Sequence, residues 1–474
     1  MTTTSLPPTE TPNQEPAMAI DTVDAFTPTP VAVPDTVGAE PTLTELVRST
    51  GTTFILALFV TMSGKPCAKL VPAQSVGMLE EDGVGFAGYA AGMMGQEPKD
   101  SDLVAMPDAS SFTPIPFIQP GLALVHCDPH VDGKPWPFAP RIILKEILRR
   151  AADLGFSVNV GAEIEYFLVN KDESGTLTTA DPADSKRQPC YDARDVTRMY
   201  DHLTEISTAM NSLGWGNYAN DHEDANGQFE QNFDYADAMV TADRVITARY
   251  LLSVIAERRG MQATFMPKPF TDRTGSGMHM HLSLWSETGA VFPDASDDKG
   301  LGLSSIAYGF IAGILEHACA LQAVIAPTVN SYKRTGAITT SSGATWSPRF
   351  ATYGGNDRTH YLRVPDHNRV ELRGGDGSAN PYLAAAGAIA AGLDGVKRNL
   401  DPGAPGSGDS PSEMLPMTLL HAMDALDKDD VLTAALNVAG PGVSEYFAQR
   451  KREEFFAWHN TVSAWEIDEY LTAF

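Results

Sequence analysis

Cysteine is scarce in this 474-residue sequence: Cys67, Cys127, Cys190 and Cys319 lie far apart, with no CxxC pair among them. That spacing excludes a clustered zinc site and a disulfide framework, and fits buried, reduced thiols in a cytoplasmic protein. Basic residues are also few, 34 Lys and Arg against 60 Asp and Glu, for a net charge of −26. Such a surplus repels nucleic acid and anionic membranes, so neither is expected as a partner. No apolar run approaches the roughly 20 residues of a membrane span. The longest, such as TFILALFV at 53–60, read as core strands. No Lys or Arg precedes Arg48, which argues against the charged start of a secretory or transit peptide. Residues 1–40, rich in Thr and Pro, cannot form a packed core and read as a disordered tail. The phosphate-cradling GxxxxGK[ST] motif is missing too, so any nucleotide must be held by other means.

With 43% hydrophobic and 20% charged residues, what remains is a globular chain long enough for two or three domains. Residues 41–137 alternate a helical LTELVRS with short strands (TFILALFV, DLVAMPD, LALVHCDP) broken by Gly and Pro, a small α+β domain. The amphipathic FAPRIILKEILRRAADLGF opens a larger domain over 138–474. Within it, RDVTRMYDHLTEISTAMNSLG reads as helix, and the last 75 or so residues pass from a Gly/Pro/Ser loop into helices.

Chemistry concentrates in strands. GAEIEYFLV at 161–169 carries Glu163 and Glu165 two apart, so both carboxylates share one face. GSGMHMHLSLW repeats the spacing with His279 and His281, and NRVELRGG with Arg369, Glu371 and Arg373. DHEDANGQFE sets Glu223 and Glu230 on either side of a turn. Each pattern alone is ordinary for a strand with one solvated face. Together they are not, because the intervening Ile164, Met280, Val370 and Leu372 are apolar and bury the opposite faces. Acids confined between buried strands need a counter-charge. A mostly oxygen donor set with one histidine suits Mg²⁺ or Mn²⁺, and arginines beside it suit phosphate oxygens. That is the working set of phosphoryl transfer.

From Leu43 onward the sequence resembles the glutamine synthetase family, with GAEIEYFLV, DANGQFE, TFMPKPF, GSGMHMHLSL, PTVNSYKR, RVELR and ANPYLAAAGAIAAGLDG in order. The resemblance implies an α+β fold, a β-grasp N-terminal domain and a catalytic domain with a curved antiparallel sheet. It further implies a homo-oligomer, a dodecamer in this family, with active sites between subunits. Its substrates would be glutamate, ATP and an amine. By the same resemblance Glu165, Glu223 and Glu230 would hold one metal, and Glu163, His279 and Glu371 a second. Arg334 would hold the substrate carboxylate and Arg373 the transferring phosphoryl. Arg358, Arg363 and Arg369 would contact nucleotide and phosphate, with His281 and Ser283 at the nucleotide and Gly275 binding substrate through its backbone.

Two positions depart from the family's ammonia-using members. FAGYAAG places Ala87 where they carry an Asp, and no acid occurs from Thr335 to Asn356, which leaves Thr340 in place of a flap Glu. Ammonium needs strong acceptors on desolvation, so a pocket of alanine, threonine, Tyr89 and Trp346 suits a carbon-bearing amine such as methylamine. Thr274, in DRTGSG, replaces a residue that commonly helps bind glutamate. These features resemble the branch containing γ-glutamylmethylamide synthetases. Glutamine synthesis proper is the alternative, and a non-catalytic binding relative a third. No tyrosine lies between Tyr382 and Tyr446, so control by adenylylation of a loop there is not expected.

Overall fold

The computed structural model describes residues 41–335, 340–406 and 413–474. The tail expected at 1–40 lies outside the described residues. Two sheets organise the rest. The first is mixed, in the order Pro66–Pro72, Phe54–Val60, Leu122–Val131, Leu103–Pro107, Val84–Phe86, with Phe54–Val60 parallel to Leu122–Val131. TFILALFV thus forms a central strand, as its unbroken apolar run requires. Helices Leu43–Thr50 and Val76–Asp82 supply Leu43, Val47, Val76 and Leu79 to its core. Thr42 and Glu45 close a capping box at the start of the first helix.

The second sheet runs Ala219–His222, Gln228–Asn232, Ser157–Lys171, Met278–Ser286, Arg369–Leu372, Leu362–Asp366, Tyr353–Gly354. Every pairing along this path is antiparallel except the last, where Tyr353 lies parallel to Leu362. Its register settles which residues meet. Directly opposed residues share a face, and Val160–Leu282–Val370 and Ala162–Met280–Leu372 form apolar rows on one side. These residues join a single core with Ala242, Val245 and Ala385 of helices Ala238–Arg258 and Pro381–Arg398. The strand carrying two acids is therefore half of a hydrophobic sandwich.

Helix Pro381–Arg398 crosses helix Ser305–Glu316 at backbone contact. A Cβ at Gly313 would lie 2.1 Å from the Ala391 carbonyl oxygen, so only glycine admits this approach. Asn380 caps the helix by accepting from Tyr382 N, and its amide donates to the Thr61 carbonyl at 3.0 Å, fastening the first sheet to it. A buried polar network joins the same parts. Arg141, in helix Pro140–Asp153, pairs with Asp243 through two bonds of 3.0 and 2.9 Å and with Asp128 at 2.7 Å, and the Tyr382 hydroxyl donates to Asp243 at 2.6 Å.

Two expectations need correction. The helix foreseen at 194–214 is two, Ala193–Arg198 and Tyr200–Ser212, because Met199 leaves helical geometry at φ −97° and ψ 13°. Of the cysteines only Cys127 is buried, the others being half-buried. No single helix among the described residues is long and apolar enough to cross a membrane.

Candidate active site

The face opposite the apolar rows carries the chemistry. Three rows cross the strands there: Asp221–Glu230–Glu165, then Asn232–Glu163–His279, then Gly161–His281–Glu371–Arg363. Strand alternation put the acids on one side; cross-strand register brings them together. Gly227, at φ +79°, makes the turn that returns Glu230 toward Glu223, and a Cβ there would meet the Leu168 carbonyl at 3.1 Å.

Glu163 lies at the centre, its two oxygens 2.9 Å from His279 Nδ1 and 2.9 Å from His281 Nε2. Burial pushes its pKa up, but the histidine bonds outweigh this and hold it well below the carboxylate range. Glu223 and Glu230 behave oppositely. Burial raises both well above the usual value, and the nearby carboxylates of Glu165 and Asp221 for Glu223, and of Glu163 and Glu223 for Glu230, raise them further. Asp221 is pushed up to about 6 by burial and by Glu163 and Glu165. So many crowded acids call for positive charge among them.

The donor atoms fit that charge. Glu163, His279 and Glu371 offer ligand atoms within 4.8 Å of one another, as do Glu165, Glu230 and His279, and as do Asp221, Glu223 and Glu230. His279 Nε2 is buried with no hydrogen-bond partner. One foreseen trio, Glu163, His279 and Glu371, falls in one cluster. The other, Glu165, Glu223 and Glu230, is spread over two clusters that share Glu230.

The arginines divide. Arg334 is 3% exposed, and its Nε and Nη1 are buried without partners among the described residues. It lies against Gly275 and Gly277, where a Cβ would come within 2.9 Å of Arg334 Cγ and 3.0 Å of Arg334 Nη2 respectively. Arg373 and Arg363 grip the fully buried Glu371 at 2.5 and 2.7 Å. Arg358 is exposed on its loop, and Arg369 is exposed, 3.3 Å from Asp366. A cavity of about 650 Å³ opens beside the acids, lined by His281, Ser283 and Arg369 with Tyr218, Trp285 and Asn368. Tyr89 sits 60% exposed on the short helix Gly88–Ala91 of the first sheet and makes no hydrogen bond to these groups.

Sequence reasoning missed several participants. Asp221 stands two before Glu223, the same spacing that revealed the other acids. Gln228 gave no such signal; its amide donates to Glu165 at 3.0 Å and to the Gly275 carbonyl at 3.2 Å. Asp224 and Gly277 were also unmarked.

Clustered carboxylates, a histidine nitrogen and guanidinium N–H groups without partners among the described residues are the chemistry that suits divalent cations and anionic substrates. A family description for the glutamine synthetase catalytic domain matches residues 137–470. The chain is 41% identical to a glutamine synthetase of Rhizobium leguminosarum bv. phaseoli, covering 90% of this chain and 99% of that one. It is 42% identical to a glutamate–methylamine ligase of Methyloversatilis universalis, over 89% and 96% respectively. A solved GmaS/ADP complex superposes with a TM-score of 0.85 at 45% identity, covering 90% of this chain and 99% of that one. The chain belongs to the glutamine synthetase family.

Proposed function

We propose that this protein is an ATP-dependent ligase joining the γ-carboxylate of glutamate to a small primary amine, methylamine foremost. The observation carrying this reading is the acceptor region. Ala87 stands where the family resemblance implies an acid in ammonia-using members, and the stretch from Thr335 to Asn356 has none. The likeness to a glutamate–methylamine ligase and to GmaS supports it.

A glutamate γ-carboxylate oxygen attacks the γ-phosphorus of ATP, the bond to ADP breaks, and a γ-glutamyl phosphate forms. The amine nitrogen then attacks the acyl carbon, phosphate leaves, and the nitrogen gives up a proton. Arg334 receives the substrate carboxylate with its unpaired N–H groups. Arg373, released from Glu371, meets the transferring phosphoryl, and Arg363 and Arg358 flank the phosphate path. His281, Ser283 and Arg369 line the cavity for the nucleotide. Glu163, His279 and Glu371 would hold one Mg²⁺ or Mn²⁺, and Glu165, Glu223 and Glu230 the other. When bound, such cations supply charge neutralisation for the phosphate oxygens. The reading includes a cytoplasmic homo-oligomer, a dodecamer by family likeness, with sites completed between subunits. It also includes a domain boundary at 137/138, supported by a catalytic-domain match that begins at residue 137.

Phosphate release with glutamate and a panel of methylamine, ethylamine, ethanolamine, putrescine and ammonium tests the reading. Highest kcat/KM for methylamine or a larger amine is the expected result. A clear preference for ammonium supports glutamine synthesis instead, the reading favoured by the 41% identity to a glutamine synthetase.

A further inference from the structure

One buried carboxylate beside the acid cluster has no part in the chemistry above. Asp224 follows Glu223 and is 7% exposed. Its Oδ2 accepts from Thr274 Oγ1 at 2.7 Å, from Trp346 Nε1 at 2.9 Å and from Ser342 Oγ. The donors come from two separate stretches. Thr274 belongs to the DRTGSG turn, while Ser342 and Trp346 belong to the acid-free stretch that follows Arg334.

Three donors on one oxygen exceed its two lone pairs, so Oδ2 is committed to holding protein and is not free to capture a cation. What it holds is unusual. Trp346 has φ +56°, a left-handed conformation that a bulky side chain adopts only where its surroundings enforce it. The residue is 45% exposed while its indole N–H is tied inward. Two further bonds brace the same stretch. Ser341 N donates to the Asp272 carbonyl at 2.8 Å, and Arg187 Nε donates to the Ser341 carbonyl at 3.4 Å. The indole is thereby tied to the residue that follows Glu223, in the stretch where the family resemblance implies a carboxylate in ammonia-using members.

We propose that Asp224 is a positioning residue that clamps Trp346 as the apolar wall of the amine pocket, so that the enzyme selects an alkylated amine over ammonium. The proposal rests on the amine-ligase reading and adds the residue that enforces it. A methyl group gains from contact with an aromatic face, and the nitrogen's charge gains from the ring's π-system. Ammonium has no carbon to bury, and it loses the carboxylates that would repay its desolvation. The clamp costs ammonium nothing further and favours only the larger acceptor.

The test compares Asp224→Ala, Trp346→Phe, Ser342→Ala and the Asp224→Ala/Trp346→Phe double variant in the full-length enzyme. The readouts are KM and kcat for methylamine and ammonium, KM for glutamate and ATP, and Mn²⁺ binding by calorimetry. Asp224→Ala and Trp346→Phe should each raise KM for methylamine about tenfold, the scale of one hydrogen bond to a charged group. Ammonium kinetics and Mn²⁺ affinity should stay within about twofold on the same scale. The double variant should be no worse than Asp224→Ala alone, since that change already removes the bond from Trp346. Equal loss for both amines, or singles whose effects multiply, overturns the clamp. Should Asp224→Ala fail to fold or to bind Mn²⁺, Trp346→Phe decides alone, because it keeps a six-membered aromatic face while removing the N–H that Asp224 holds. Unchanged selectivity there overturns the clamp while leaving the ligase reading intact. A wild-type preference for ammonium overturns the ligase reading itself.

Discussion

Replacing Arg334 by methionine should move activity and stability in opposite directions. The guanidinium is 3% exposed, and two of its nitrogens are buried without partners. Burial pulls its pKa below the usual arginine value against the attraction of Glu165 and Asp376, so the free enzyme carries a strained cation. Methionine has similar length and no charge to desolvate, so the free variant should unfold at a higher temperature or urea concentration than the wild type. Substrate binding pays the reverse. A carboxylate held by two charge-assisted bonds at about 1.5 kcal/mol or more each gives about 3 kcal/mol, or roughly a hundredfold in kcat/KM for glutamate. The assays are glutamate titration by calorimetry, steady-state phosphate release, and urea unfolding of the ligand-free protein. A variant that loses stability along with activity would refute the argument, since Arg334 would then be structural cement.

The remaining expectations concern the frame around the site. Asp243→Asn should destabilise the protein by about 3 kcal/mol or more by urea unfolding, because it removes the buried charge that Arg141 bonds twice and the Tyr382 hydroxyl once, leaving Arg141 only Asp128 and Asp108; a loss under about 1 kcal/mol would show the network to be replaceable. His317 lies 2.7 Å from Asp429 and 3.2 Å from Asp394. Burial pulls its pKa down, but bonds to the two aspartates outweigh this and raise it. Its stabilisation is therefore full below the unfolded pKa near 6.5 and fades as pH rises through the raised folded value. The melting-temperature gap between wild type and His317→Gln should shrink from pH 6 to pH 9, and a gap that widens would reverse the assignment. An intact mass carrying no AMP adduct after expression under nitrogen excess is expected, because no tyrosine lies between Tyr382 and Tyr446, and an adduct would refute the expectation.

Much of the site was legible because a strand's side chains alternate, and alternation survives in a bare sequence. Glu163 with Glu165, and His279 with His281, announce a polar face as soon as Ile164 and Met280 announce an apolar one. Register is another matter. Nothing local says that His279 faces Glu163, or that His281 meets Glu371 across a third strand, because pairing partners lie about 90 to 120 residues apart. Arg334 was placed by family resemblance, but its lack of partners depends on Gly275 and Gly277 leaving room beside it. Asp224 was illegible for the same reason, since its three donors arrive from two loops whose folding alternation does not govern. The break at Met199 left no mark in the apolar periodicity, which continues across it.

The strand Ser157–Lys171 serves the core with one set of side chains and the reaction with the other. A slip of one residue against its neighbours would turn Glu163 and Glu165 into the oily layer and lift Ile164 and Tyr166 into the cleft. A chain slipped in this register cannot therefore be stable and merely inactive. Proofreading of the catalytic geometry is delegated to the folding reaction, and a population of chains that has folded has already passed inspection.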